Sequence, residues 1–191
     1  MDARINIKIF LKTVILFPLF MIFIMFPLCL LIVITAFVPK GRVLATKLYE
    51  FFGWIGIVLV GVELNTIGAE KIDTKKSYVV IGNHPSTLDI FTHITALPVS
   101  IRFLTKTELF RIPIFGRVLK TLGLPRIDRK NAKANFEKIN DSINQVIKLG
   151  NSIMIFPEGK RSNQKELLPF KKGAAYICLL YTSPSPRDQC L

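Results

Sequence analysis

From Val14 to Val38, 25 consecutive residues carry no charge. As a helix rising about 1.5 Å per residue they would reach roughly 37 Å, enough to cross a hydrocarbon core of about 30 Å. Arg4, Lys8 and Lys12 precede the run, and Lys40, Arg42 and Lys47 follow it. Such even basic flanks leave the orientation open. Pro18 and Pro27 are expected to kink the helix, which membranes tolerate. A cleaved signal peptide is the rival reading, but the run outlasts the usual apolar core of about 7–15 residues. A second apolar stretch, from Phe51 to Val62, is short for a span. It reads either as an interfacial or re-entrant helix, with Tyr49 and Trp54 near headgroup depth, or as a buried helix of the following domain.

After residue 62 the pattern changes to short strands alternating with helices, which predicts an α/β domain. Tyr78 to Ile81 reads as a buried strand and Ser86 to Leu97 as a helix with Ile90, Ile94 and Leu97 on one face. Ile101 to Thr105 reads as a strand, Ile114 to Leu122 as a helix and Leu124 to Ile127 as a short strand. Asn131 is placed to cap a helix carrying Phe136, Ile139, Ile143, Val146 and Ile147, which Gly150 ends. Ile153 to Phe156 reads as another buried strand, closed by Pro157.

Composition sharpens the picture. Half of the residues are hydrophobic, more than a soluble domain of 191 residues needs, so part of the chain is expected to meet a membrane. Lys and Arg total 26 against 13 acidic residues, a net charge of +13. That surplus suits nucleic acid, an anionic lipid surface or a phosphorylated substrate. Neither paired Cys/His fingers nor an aromatic RNA-recognition strand is present, which leaves membrane and phosphate and sets nucleic acid aside. The cysteines, Cys29, Cys178 and Cys190, are not at metal-ligand spacing, and their odd number argues against a disulfide framework.

Two strand ends carry chemistry. Asn83-His84-Pro85-Ser86-Thr87-Leu88-Asp89 lies where a strand gives way to a helix, the end at which α/β sheets usually bind ligands. An imidazole there can take a proton near neutral pH while a carboxylate holds its other nitrogen. A structural alternative is specific: Ser86 as N-cap with Asp89 three positions on resembles a capping box. The second site, Phe156-Pro157-Glu158-Gly159-Lys160-Arg161-Ser162, sets two cations beside a tight turn and reads as a phosphate-holding edge or as a polar surface turn. Between them, Gly123 to Lys130 ends another strand in clustered cations or forms a solvated basic loop. His93, four residues after Asp89, reads as structural. No nucleophile elbow, Walker loop, zinc-protease motif or dinucleotide fingerprint occurs.

Taken in order, these blocks resemble the 1-acyl-sn-glycerol-3-phosphate acyltransferase family, the PlsC-like lysophospholipid acyltransferases. His84 and Asp89 match its N-H-x-x-x-x-D signature, and residues 156–162 match its F-P-E-G-T-R-S block with Lys160 in place of Thr. Arg129 matches the basic residue of a middle block. Lys106-Glu108-Leu109, with Pro113 and Gly116, resembles the stretch before it, and Leu168 to Ala174 the segment after the third block. The resemblance implies a mixed sheet flanked by helices, with an N-terminal membrane helix or helical hairpin. It implies acyl transfer from acyl-CoA or acyl-carrier protein to lysophosphatidic acid, with His84 and Asp89 catalytic. Arg129, Glu158, Gly159 and Arg161, with Lys106, would bind the acceptor, Glu158 through an Arg or a glycerol hydroxyl. No metal or tightly bound cofactor is implied. The protein would sit in a membrane with its site toward the cytosol.

The resemblance divides the chain into attachment helices (1–62), an incomplete acyltransferase domain (63–177) and a non-native tail (178–191) with no strand pattern. A fourth family block, a V-P-x-x-P-like strand, has no counterpart. The rival functions are acylation of glycerol 3-phosphate or of another lysophospholipid, and a non-catalytic basic protein that docks on anionic membranes. A serine hydrolase is more distant, since Ser86 lacks the elbow.

Overall fold

The structure, a computed structural model, describes residues 14–15, 17–128, 136–162 and 166–181. The charge-free run forms α1 (Phe17–Phe20), a π-helical turn (Met21–Met25) and α2 (Phe26–Thr35). The wider turn sits just before Pro27. A proline offers no N–H and its ring crowds the carbonyl four residues back, so a π turn there absorbs the expected kink. The helix stops short of Val38: turns begin at Ala36, and Lys40, at φ 57°, reverses the chain into α3 (Gly41–Val60).

α3 is longer than the apolar stretch that announced it and takes in Arg42, Lys47 and Glu50. The segments Pro18–Thr35 and Gly41–Val60 are both long and apolar enough to cross a membrane. Their outward faces leave Phe23, Phe51 and Trp54 exposed, and Phe37, in the turn between them, is exposed as well. The opposite face of α3 packs on α4 (Asp89–Ala96), closely enough to require glycine. A Cβ on Gly56 would lie 2.1 Å from Phe91 Cδ1, and one on Gly53 2.5 Å from Ile94 Cγ2. The two readings of this segment therefore hold on opposite sides of one helix: apolar and bare outward, buried inward.

Three strands form the main sheet in the order β1 (Val79–Ile81), β5 (Ser152–Ile155), β2 (Ile101–Phe103). β3 (Thr105–Lys106) pairs with β4 (Arg126–Ile127) in a second, two-stranded sheet. A mixed sheet was expected, but every pairing among the described strands is parallel. β1 was expected to be buried. Among the described strands it is an edge strand with β5 as its one neighbour, half-buried at Val79 and Val80 and exposed at Ile81.

β5 is the buried centre. Its Ile153 and Ile155 face α6 (Phe136–Lys148) and α7 (Lys172–Tyr181), joining Ile143, Val146 and Ile177. Met154, between them, faces the other layer with Leu28, Tyr49, Ile94, Phe103 and Val118 of α5 (Phe115–Thr121). Alternate side chains thus build two cores, and helices cover both faces.

The helix expected from Ser86 begins at Asp89, residues 86–88 forming its entry turn. α6 buries the predicted stripe and ends at Gly150, where Asn151 N–H donates to Val146 O at 3.1 Å; its expected cap, Asn131, lies outside the described residues. α7 runs to Tyr181, whose hydroxyl donates to Asn140 O of α6 at 3.0 Å. The tail boundary drawn at residue 178 therefore cuts through a packed helix, and 182–191 lie outside the described residues.

Arg102 ties the helical layer to the sheet. It is 2% exposed. Its Nε donates to Leu122 O at 2.8 Å and its Nη2 to Thr46 Oγ1 of α3 at 2.7 Å, and the guanidinium lies over the Tyr49 ring. Burial pushes this guanidinium below the ordinary arginine range.

Candidate active site

Pairing between β1 and β5 persists one residue past the strand, with Gly82 N–H donating to Ile155 O at 3.2 Å. The chain then turns through Asn83-His84-Pro85 and enters α4. His84 Nδ1 meets Asp89 Oδ2 at 2.7 Å. The same oxygen accepts the Ser86 amide at 2.9 Å, while Ser86 Oγ accepts Leu88 N–H at 3.1 Å. The cap-like reading of Asp89 and its pairing with His84 are one geometry, because the oxygen that accepts the Ser86 amide at the helix entry also meets the imidazole. A carboxylate only accepts, so in the neutral imidazole Nδ1 carries the hydrogen and Nε2 the lone pair.

The imidazole lies flat on Phe156, with ring centroids 4.0 Å apart and planes 9° from parallel, and Phe156 in turn stacks on Phe103. The side chains of His84 and Asp89 are 18% and 10% exposed, shielded yet reachable. His93 is structural as read: its Nδ1 donates to Asp89 O at 2.6 Å and its ring meets Phe156 edge-on.

The second block closes over the first. Ser162 N–H donates to His84 O at 3.0 Å, and Arg161 Nη1 donates to Thr87 Oγ1. Glu158 is held by backbone donors. It is 4% exposed; Oε1 accepts the His84 amide at 3.4 Å and Oε2 the Leu168 amide at 3.1 Å. Among the described residues its partners are these two loop amides, and Arg129 lies outside that described set. It fixes the backbone of the histidine loop, because a buried carboxylate needs donors and two loop amides supply them. Gly159, at φ 72°, sits where a Cβ would come within 3.2 Å of Lys171 Cγ.

Of the remaining predicted residues, Arg161 reaches the histidine loop through Thr87, Gly159 sits in the turn after β5 with its N–H donating to Phe156 O at 3.0 Å, Lys106 is exposed at the end of β3, and Arg129 lies outside the described residues. The reading missed the role of Phe156 as a shelf under the imidazole, although that residue stood in a block already singled out. Behind the shelf, an apolar cavity of about 160 Å³ lies between the apolar helices and the domain, lined by Leu28, Tyr49, Ile90, Phe103 and Val118 among others. Ile90 and Phe103 bring it next to the His84–Asp89 pair.

The crystal structure of the 1-acyl-sn-glycerophosphate (LPA) acyltransferase PlsC from Thermotoga maritima shares this architecture. The match has a TM-score of 0.68 and 23% identity, and covers 94% of this chain and 71% of that one. The fold is thus that of an α/β acyltransferase domain carried behind apolar helices. The acyltransferase family model matches residues 63–184, and the chain belongs to that family. A 1-acyl-sn-glycerol-3-phosphate acyltransferase of Cocos nucifera is 34% identical over 142 residues, 74% of this chain and 46% of the relative. Proteins of the same name from Saccharomyces cerevisiae and Borreliella burgdorferi are 34% and 33% identical, over 63% and 65% of this chain and 40% and 50% of their own lengths. The chain spans about half the length of the curated relatives it matches.

Proposed function

We propose that the chain carries the catalytic core of a membrane-attached 1-acylglycerol-3-phosphate O-acyltransferase. It passes a fatty acyl chain from acyl-CoA or acyl-carrier protein to the free hydroxyl of lysophosphatidic acid, giving phosphatidic acid. The observation that carries this reading is the 2.7 Å contact between His84 and Asp89 at the end of β1.

A thioester already has a good leaving group, so the acceptor hydroxyl is the obstacle. His84 Nε2 takes the hydroxyl proton as the oxygen attacks the thioester carbonyl. Asp89 orients the ring and stabilises the imidazolium. When the tetrahedral intermediate collapses, the C–S bond breaks and the imidazolium returns its proton to the departing thiolate. General-base help of this kind contributes on the order of 10²–10⁴-fold; positioning and stabilisation of the developing oxyanion supply the rest.

Arg161 and Gly159, with Arg129 and Lys106, hold the acceptor phosphate, for which the planar guanidinium fork suits two oxygens at once. The donor's alkyl chain enters the apolar cavity lined by Phe103 and Ile90. The bare faces of α2 and α3 hold the domain at the bilayer. The site faces the cytosol, since both donors are water-soluble and anionic.

His84→Ala in the intact chain, assayed in membranes with labelled acyl-CoA and lysophosphatidic acid, is expected to lower turnover by about 10²-fold or more with the thermal transition preserved. Near-normal turnover of that variant would sink the mechanism.

A further inference from the structure

A cleft of about 560 Å³ lies along β4, between α6 and the 3₁₀ turn Thr107–Arg111. It is separate from the histidine site. Lys120, Arg126 and Lys138 line it, with Asp128 the one acid among the described lining residues, and Ser142 adds a hydroxyl oxygen whose hydrogen goes to Lys138 O at 2.8 Å. Arg126 lies over the Phe110 ring at 4.5 Å, a flat cationic surface of the kind on which a base stacks. The size falls within the roughly 300–1,000 Å³ typical of small-ligand sites.

Two features join this cleft to the catalytic reading. Leu124 lines both the cleft and the apolar cavity, and the Thr107–Arg111 turn divides them, with Leu109 on the cavity and Thr107 and Phe110 on the cleft. The strands also run one way. β1, β5 and β2 are parallel, β3 follows β2 after one residue, and β4 is parallel to β3. Thr107 and Asp128, just past β3 and β4, therefore stand on the same edge of the fold as His84 and Glu158, just past β1 and β5. An apolar chamber and a cationic one, side by side on that edge, suit a molecule with a long alkyl chain and a polyphosphate.

We propose that the Lys120–Arg126–Lys138 cleft binds the nucleotide phosphates of a coenzyme A thioester donor. This rests on the acyltransferase reading and makes the donor's recognition independent of the acceptor-holding turn at Gly159–Arg161. Lys120, Arg126 and Lys138 are exposed, so reversing their charge leaves the cores untouched.

The test is calorimetric titration of adenosine 3′,5′-bisphosphate into the intact chain in zwitterionic nanodiscs. Measurable binding is expected, weakened about ten-fold or more in the Lys120→Glu/Lys138→Glu double variant, since each charge-assisted contact is lost and reversed. Lys148→Glu, an exposed cation on α6 outside the cleft, is the control and is expected to stay within about two-fold. Absence of binding, or equal binding by the double variant and the control, overturns the proposal. So does a double variant that loses only its retention on phosphatidylglycerol vesicles, because the cleft would then serve a lipid surface. The two readings fail separately. Charge-dependent nucleotide binding without acyl transfer refutes the enzyme assignment and keeps the cleft. Acyl transfer with an unchanged acyl-CoA KM in the double variant refutes the cleft alone.

Discussion

Replacing Glu158 with Gln separates the role that the sequence suggested from the one the structure gives it. The carboxylate is buried and accepts two backbone amides, from His84 at 3.4 Å and from Leu168 at 3.1 Å. Glutamine keeps one acceptor oxygen and turns an NH₂ group toward the other amide, so one hydrogen bond to an ionised group is lost and two donors oppose each other. Bonds to charged groups contribute roughly 1.5–3 kcal/mol, and an unsatisfied buried donor costs about 1–3 kcal/mol. The 3.4 Å contact is the longer and weaker, and the amide that keeps its partner retains part of the stabilisation. A loss of about 2–3 kcal/mol is expected, which for a chain of this size lowers the Tm by roughly 4–12 °C. Because His84 moves with its amide, kcat is expected to fall by about 10–100-fold, with KM for lysophosphatidic acid little changed. Thermal unfolding followed by circular dichroism and steady-state kinetics in detergent micelles read both effects. An unaltered Tm with a raised acceptor KM alone would refute this account and return Glu158 to the acceptor.

Three further outcomes are expected. Gly56→Ala puts a Cβ 2.1 Å from Phe91 Cδ1, so α3 and α4 must separate or the ring must swing; overpacking of this kind costs about 1–3 kcal/mol, seen as a lower midpoint in urea. The protein is expected to stay in the membrane fraction through a high-salt wash, because insertion of α2 and α3 is not screened; complete release at high ionic strength would mean attachment by basic residues alone. Arg161→Ala is expected to raise the KM for lysophosphatidic acid about ten-fold or more, with Arg161→Lys recovering only part. An unchanged acceptor KM in Arg161→Ala removes that residue from the phosphate site.

What sequence alone determined is what short range decides. The α6 stripe, the continuous apolar run of β5, the chain reversals and the spacing of His84 to Asp89 are written within a few residues, where dihedral preference and periodicity act. So the helix and strand segments, the apolar N-terminus and the pairing of His84 with Asp89 were legible, and the ordered blocks led to the family. The tertiary structure decided whatever depends on partners far along the chain. Glu158 meets His84 across 74 positions, and Arg102 meets Thr46 across 56. Both are charged residues of a kind expected at the surface; each is buried because folding brings donors or acceptors that no local pattern announces. Nothing local marks Gly53 and Gly56 as packing positions; that follows from Ile94 and Phe91 resting against them. β1 read as buried from its valines and isoleucine, yet strand order put it at an edge. Hydrophobicity says that a segment seeks cover; only the assembled layers settle how much cover it finds.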